Sequence, residues 1–138
     1  MILGSGVDLI EVARFEREAA RRGQSLAEEL FSAGELAWCR RRRRAAEGYA
    51  IAYAAKEALF KALGTGKVGR MAWQDIAVAW PEGAARPAMA LASETAEVAR
   101  QLGVTGVYCA VSHTCEYAVA WVVVTGVDRR RDSVVSSQ

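Results

Sequence analysis

The sequence predicts an α+β domain: a small antiparallel sheet packed with one long buried helix and several shorter helices. Three observations carry this. Residues 46–63 are rich in alanine and leucine, and their apolar positions run nearly all round, as in a helix enclosed by its fold. Short apolar segments at 2–7, 107–112 and 117–124 read as strands at the two ends of the chain, the last two joined by a polar turn. At 138 residues the chain is long enough for one good core and too short for two.

In order, residues 2–7 read as the first strand. In 11–22, Val12, Phe15 and Ala19 recur at helical spacing on one face, and Arg14, Arg17 and Arg21 follow the same spacing on the opposite face. Gly23 is a helix stop. Residues 25–31 form a short helix, and Ser32-Ala33-Gly34-Glu35 has the Ser-x-x-Glu pattern of a capping box that opens another. That helix runs into five consecutive arginines, 40–44, which cannot share one face, so part of the run is solvated or bound. In the long helix, Lys56, Glu57 and Lys61 are charged positions, rare in a buried helix unless paired or functional. Glu57 and Lys61 lie four apart and can pair. Gly64 supplies the stop.

Residues 74–80 alternate as a strand with Ile76, Val78 and Trp80 on one side. Residues 81–87 form a turn, Ala88–Leu91 a short strand, and Ser93–Leu102 a helix capped by Ser93. The hairpin of 107–112 and 117–124 turns through His113-Thr114-Cys115-Glu116. The domain is expected to span 1–126, followed by a polar tail, 127–138.

Eighteen basic residues oppose sixteen acidic ones, yet fifteen of the basic residues are arginine and nine of these fall between Arg14 and Arg44. A basic first third suits an anionic partner such as nucleic acid, phosphate or an acidic protein, the alternative being plainly solvated helix faces. Hydrophobic residues at 52% and charged residues at 25% exclude wholesale disorder. No apolar run approaches the ~20 residues of a membrane helix. The N-terminus shows no basic leader before a long apolar region, so no signal peptide is expected. Three cysteines make no disulfide framework, which points to a reducing cytoplasm.

Several residues could do chemistry. Asp8 follows Gly4 and Gly6 at a strand end, from which a carboxylate projects into a cleft or caps the next helix. Asp8 and Glu57 together suit a hard cation, because Mg²⁺ takes one or two carboxylates and completes its shell with phosphate and water. Gly64-Thr65-Gly66-Lys67 can cradle phosphate on backbone N–H groups or simply stop the helix, and it is not a Walker loop. His113, the only histidine, lies between Cys109 and Cys115, but the spacing is not that of a zinc site and lacks a fourth ligand. No serine sits on a nucleophile elbow.

Longer motifs resemble a family. Gly6-Val7-Asp8-Leu9-Ile10-Glu11 with Arg14-Phe15, then Phe31-Ser32-Ala33-Gly34-Glu35, then Tyr53-Ala54-Ala55-Lys56-Glu57-Ala58 with Lys61-Ala62-Leu63-Gly64-Thr65-Gly66, resemble in order the holo-acyl-carrier-protein synthases, the small 4′-phosphopantetheinyl transferases. Trp73-Gln74-Asp75-Ile76, Ser112-His113-Thr114 and Glu116-Tyr117-Ala118 are similar to later segments, so the likeness runs from about Ile2 to Val124.

The resemblance implies a 4′-phosphopantetheinyl transferase-like fold and transfer of the phosphopantetheine arm of coenzyme A to a serine of an apo acyl carrier protein, with adenosine 3′,5′-bisphosphate released. It implies Mg²⁺ on Asp8 and Glu57, and a catalytic site of Asp8, Glu57 and Lys61. It also implies coenzyme A contacts from Lys56, Lys61, Gly64, Thr65, Gly66, Ser112 and His113, and a homotrimer with active sites between subunits. In that setting Arg14, Arg17 and Arg21 can steer an acidic carrier. The family's His-Val-Ser-Ile-Ser-His is here Tyr108-Cys109-Ala110-Val111-Ser112-His113, which puts nucleotide contacts at Tyr108 and Ala110 in doubt. The arginines at 40–44 could instead take the 3′-phosphate. Two other readings stand beside this one: a non-catalytic relative that binds coenzyme A or a carrier, and a nucleic-acid module using the arginine run. No aromatic residues interleave with that run, so stacking platforms are not expected.

Overall fold

Helix α4 (Ala45–Ala62) is the element on which the rest of the domain is laid, and its residues Ala50, Ala52, Ala54, Ala55, Ala58 and Leu59 have no exposed surface. The structure is a computed structural model that describes residues 1–129, so the expected tail falls, beyond Arg129, outside the described residues. The chain runs β1 (Ile2–Glu11), α1 (Val12–Arg22), α2 (Gln24–Leu30), α3 (Ala33–Arg40), α4, a single 3-10 turn (Trp73–Asp75), β2 (Ile76–Ala79), β3 (Ala88–Leu91), α5 (Ser93–Leu102), β4 (Val104–His113) and β5 (Tyr117–Gly126). Strands β1, β5 and β4 form an antiparallel sheet in that order, and β2 pairs with β3 in a separate ribbon. This is the α+β architecture the sequence predicts.

Ala118, Ala120, Val122 and Val124 of β5 point into the core shared with α4, as does Cys109 of β4. On β1 that face carries glycine. A Cβ on Gly4 would lie 2.1 Å from the Ala62 carbonyl oxygen, and one on Gly6 would lie 2.2 Å from that of Ala58. Only glycine lets β1 approach the α4 backbone so closely, and the approach brings Asp8, two residues on, beside the charged face of α4. Among the described residues no element lies over the other face of the sheet. Register pairs Val7 with Trp121 and Trp121 with Ala110, so Val7, Leu9, Trp121 and Tyr108 share that face, and each is more than half exposed.

A buried polar hub locks the helices to the ribbon. Ser32 and Glu35 form the expected capping box at the start of α3. Glu35, 2% exposed, does more than cap. Its Oε1 also accepts from Lys56 Nζ at 2.7 Å, and its Oε2 accepts from the Val78 N–H at 2.7 Å. Lys56 Nζ further donates to the carbonyls of Leu30 (2.7 Å) and Trp73 (3.2 Å). Burial pulls the Lys56 ammonium below the usual lysine range, and the bond to Glu35 opposes this. Three segments, α2, α3 and the 3-10 turn, thus meet on one α4 side chain, and Glu35 ties β2 to the same point.

Some boundaries differ from those read locally. β1 continues to Glu11 because its pairing with β5 continues to Tyr117. Residues 74–80 do not all extend: Trp73–Asp75 turn first, and Trp80 follows the strand, stacked on Trp38 at a centroid distance of 3.7 Å. Ser93 does not cap α5. It is the first helical residue, at a φ of 53°, and the cap comes from elsewhere in the chain: Asp75 Oδ2 accepts from the Thr95 hydroxyl (2.8 Å) and N–H (3.3 Å).

Candidate active site

The glycine-mediated contact of β1 with α4 opens a cleft of about 830 Å³ between β1, α1, α2 and α4. Asp8 and Glu57 both line it, with Arg14, Phe15, Tyr53, Trp73 and Tyr117 among its walls. Asp8 does not cap α1. That helix starts at Val12, whose N–H donates to the Glu116 carbonyl, and its N-cap Glu11 makes no side-chain capping bond.

Each carboxylate is held at one oxygen. Asp8 Oδ1 accepts from Lys61 Nζ at 2.7 Å, and the same ammonium lies 3.4 Å from the Val7 carbonyl. Asp8 Oδ2 is buried with no hydrogen-bond partner. Glu57 Oε1 accepts from the Tyr53 hydroxyl at 2.9 Å. Lys61 therefore pairs with Asp8 and not with Glu57, as spacing on the helix had suggested; the strand, not the helix, supplies its nearest anion. The bond to Asp8 holds the Lys61 ammonium above the usual lysine range, with the charge of Glu57 adding to it. Burial pushes the Tyr53 hydroxyl up, and its bond to Glu57 and the charges of Glu57 and Asp8 push the same way, so it keeps its proton and donates.

Two carboxylates against one lysine, with a buried carboxylate oxygen left unpartnered, is an arrangement that calls for a cation. The donors are hard oxygens, which suits Mg²⁺. Among the described residues no group of three or more metal-ligating side chains occurs, so Asp8 and Glu57 could hold a cation only as part of a shell and not as a closed cage. Mg²⁺ binds in this way, with phosphate and water completing the shell.

Other candidate residues lie differently. Lys56 has no exposed surface, and its Nζ donates to three acceptors within the domain, which places it away from the cleft surface. Gly64 and Gly66 adopt left-handed φ of 79° and 64°, and their N–H groups donate to the carbonyls of Lys61 and Phe60. Those amides close α4; Thr65 between them is exposed, its hydroxyl donating to the Gly66 carbonyl. Ser112 and His113 do not line the cleft. Ser112 shares the uncovered sheet face with Tyr108 and Ala110, and His113 Nδ1 lies 3.5 Å from Glu47 Oε1. Ten residues separate Glu47 from Glu57, about 15 Å along a helix.

Arg14, Arg17 and Arg21 are exposed, as the helix pattern predicts, while Val12 and Phe15 are buried. Arg17 and Arg21 meet Glu11 and Glu18, and Arg14 lines the cleft. In the arginine run, Arg44 bonds to Glu16 and to the Cys115 carbonyl, while Arg42 lies 4.8 Å over the Trp38 ring. Trp38 thus meets both Arg42 and Trp80. Cys109 is buried, whereas Cys115 is exposed in the hairpin turn. No described helix is long and apolar enough to cross a membrane.

Tyr53 was not singled out from the sequence. Its signal was available: it stands four residues before Glu57, so the two share a helix face.

A family model for the 4′-phosphopantetheinyl transferase superfamily matches residues 4–119. The chain is 44% identical over 126 residues to a holo-[acyl-carrier-protein] synthase of Desulforudis audaxviator, covering 91% of this chain and 95% of that one. The structure resembles the crystal structure of the holo-[acyl-carrier-protein] synthase from Neisseria meningitidis, with a TM-score of 0.83, 26% identity and coverage of 91% and 99%. It also resembles the Helicobacter pylori enzyme in complex with coenzyme A, with a TM-score of 0.74, 28% identity and coverage of 88% and 99%. By its motifs, its fold and its relatives, the chain belongs to the holo-[acyl-carrier-protein] synthases of the 4′-phosphopantetheinyl transferase superfamily.

Proposed function

We propose that this protein is a cytoplasmic, Mg²⁺-dependent enzyme that moves the 4′-phosphopantetheine arm of coenzyme A onto a serine of an apo acyl carrier protein. The observation that supports it most is the pair of carboxylates in one cleft, Asp8 and Glu57, with Asp8 Oδ2 buried and unpartnered. In the reaction, the serine oxygen bonds to the phosphorus that bears the pantetheine arm. The bond from that phosphorus to the bridging oxygen breaks, adenosine 3′,5′-bisphosphate leaves with the electron pair, and the serine proton goes to solvent. Asp8 and Glu57 are the residues that would hold Mg²⁺. When bound, Mg²⁺ neutralises the pyrophosphate and the charge that grows on its leaving oxygen. Lys61, charged and half exposed beside Asp8, adds a second positive charge at the same place. Phe15, Leu26, Tyr53 and Trp73 add apolar walls against which the pantetheine arm could pack.

A homotrimer accounts for the residues the single chain keeps apart. Joining copies through the uncovered sheet face would bury Val7, Leu9, Tyr108 and Trp121 and carry Ser112, on that face, toward a neighbour's cleft. Exposed apolar faces of this kind mark interaction sites. We expect the wild-type chain to have the mass of three subunits in light scattering. Trp121→Glu, which places a charge at the centre of the face, should shift it to one subunit and lower transfer in parallel. A wild-type protein that runs as a monomer at full activity would reject this assembly.

The α1 arginines are the proposed carrier-docking surface. Arg14→Glu, Arg17→Glu and Arg21→Glu together should raise the carrier KM tenfold or more, an effect on the order of 1–2 kcal/mol of interface electrostatics. They should leave the coenzyme A KM and the melting temperature nearly unchanged. The wild type should lose carrier affinity as salt rises and the triple variant should respond less. An unaltered carrier KM and salt slope would move docking elsewhere, with the arginines at 40–44 the next surface to reverse.

The experiment for the activity is to weigh several apo carriers, of fatty-acid and polyketide type, after incubation with the protein, coenzyme A and Mg²⁺. Gain of one phosphopantetheine supports transfer and names the preferred carrier. Tight coenzyme A binding with no mass gain on any carrier would instead support a binding-only relative.

A further inference from the structure

We propose that Tyr53 is a positioning residue: its hydroxyl fixes Glu57 so that Oε2 is presented to the cation. This rests on the assignment of Glu57 and Asp8 to Mg²⁺ above. Tyr53 and Glu57 lie one turn apart on α4, and the hydroxyl donates to Glu57 Oε1 at 2.9 Å. The ring cannot swing away. It packs between Phe15 of α1, at a centroid distance of 5.8 Å, and Trp73 of the 3-10 turn, at 5.1 Å. A glutamate on a half-open helix face samples several rotamers, and tethering one oxygen to an immobile donor fixes the direction of the other. Lys61 tethers Asp8 Oδ1 in the same way and leaves Oδ2 free. The two tethers differ in one respect. Lys61 is a cation and offsets the charge of Asp8, whereas Tyr53 is neutral, so it orients Glu57 and leaves its full negative charge for the metal.

Tyr53→Phe removes the hydroxyl and keeps the ring between Phe15 and Trp73, so it separates positioning from packing. The readout is Mn²⁺ affinity, by electron paramagnetic resonance of free Mn²⁺ titrated into the full chain with saturating coenzyme A and no carrier. Expected are a roughly tenfold weaker Mn²⁺ dissociation constant in Tyr53→Phe, an unchanged melting temperature, and a fall in kcat without a rise in coenzyme A KM. Glu57→Gln should bind Mn²⁺ more weakly still, and adding Tyr53→Phe to Glu57→Gln should cost nothing further. Wild-type Mn²⁺ affinity in Tyr53→Phe, with Glu57→Gln weakened, would overturn the positioning role and leave the site reading standing. A full additional loss in the double variant would overturn it too, because Tyr53 would then act independently of Glu57. Wild-type affinity in Glu57→Gln would sink the site reading itself, and the proposal with it.

Discussion

Glu57→Gln and Asp8→Asn should each lose about a hundredfold or more of carrier modification while keeping the fold. Both substitutions preserve shape and remove a negative charge, so they test the charge alone. A metal that neutralises developing charge contributes several kcal/mol to the barrier, and about 1.4 kcal/mol is tenfold in rate. Stability should change little. Glu57 lines an open cleft and packs no core residue, and the Lys61 that Asp8→Asn leaves behind is half exposed to water. In Asp8→Asn the loss has two sources: the amide is a poor ligand through Oδ1 or Nδ2, and it holds Lys61 less tightly than a carboxylate does. Raising Mg²⁺ should therefore restore part of the activity of each variant by mass action. Rates measured across a Mg²⁺ series, beside thermal melts, check this. Wild-type turnover in Glu57→Gln with an unchanged Mg²⁺ dependence would show that the carboxylate is not a ligand.

The largest loss of stability is expected from Glu35→Ala. That one carboxylate caps α3, accepts from Lys56 and accepts from the Val78 N–H. Removing it leaves the Lys56 ammonium, which has no exposed surface, without its counter-charge. Breaking a buried pair from one side costs roughly 3–5 kcal/mol, and losing the acceptor of the Ser32 N–H in the capping box adds about 1 kcal/mol more. For a chain of this length that is a fall in melting temperature on the order of 10 °C or more. Lys56→Met should also destabilise, because it leaves Glu35 buried and charged. The double variant Glu35→Leu with Lys56→Met should recover a good part of the loss, since apolar replacement of a whole buried pair is often close to neutral. Chemical denaturation of the four proteins decides it: a double variant as unstable as the sum of the singles would mean that the hydrogen bonds to backbone, and not the charges, hold this junction.

Lys56 marks the limit of reading a site from sequence. It stands next to Glu57 in sequence, yet it points to the other side of α4, toward α3 and the 3-10 turn. Neighbours in sequence on a helix face about 100° apart, and which side meets the cleft depends on strands far along the chain. The same limit applies to Lys61, whose partner Asp8 comes from β1, and to the α5 cap, which Asp75 supplies from eighteen residues before Ser93. It applies again to β1, whose length is set by β5. Local signals carried what is local. The all-round apolar pattern gave α4, Ser32 and Glu35 marked the start of α3, and the arginine spacing on α1 gave an exposed stripe. Gly4 and Gly6, read as permitting close approach, do so against the α4 backbone and bring Asp8 to Glu57. The separation of His113 from the cleft follows from the pairing of β4 with β5, which no local pattern encodes.

The central claim is that the Asp8–Glu57 cleft carries metal-dependent transfer of the phosphopantetheine arm. Its most direct test is the intact mass of an apo acyl carrier protein after incubation with coenzyme A and the wild-type chain, in Mg²⁺ and in excess chelator, with Glu57→Gln alongside. The account predicts a gain of one phosphopantetheine per carrier, matched by one adenosine 3′,5′-bisphosphate, with the wild type in Mg²⁺ and almost none with chelator or with Glu57→Gln. Equal mass gain in all three reactions would contradict it.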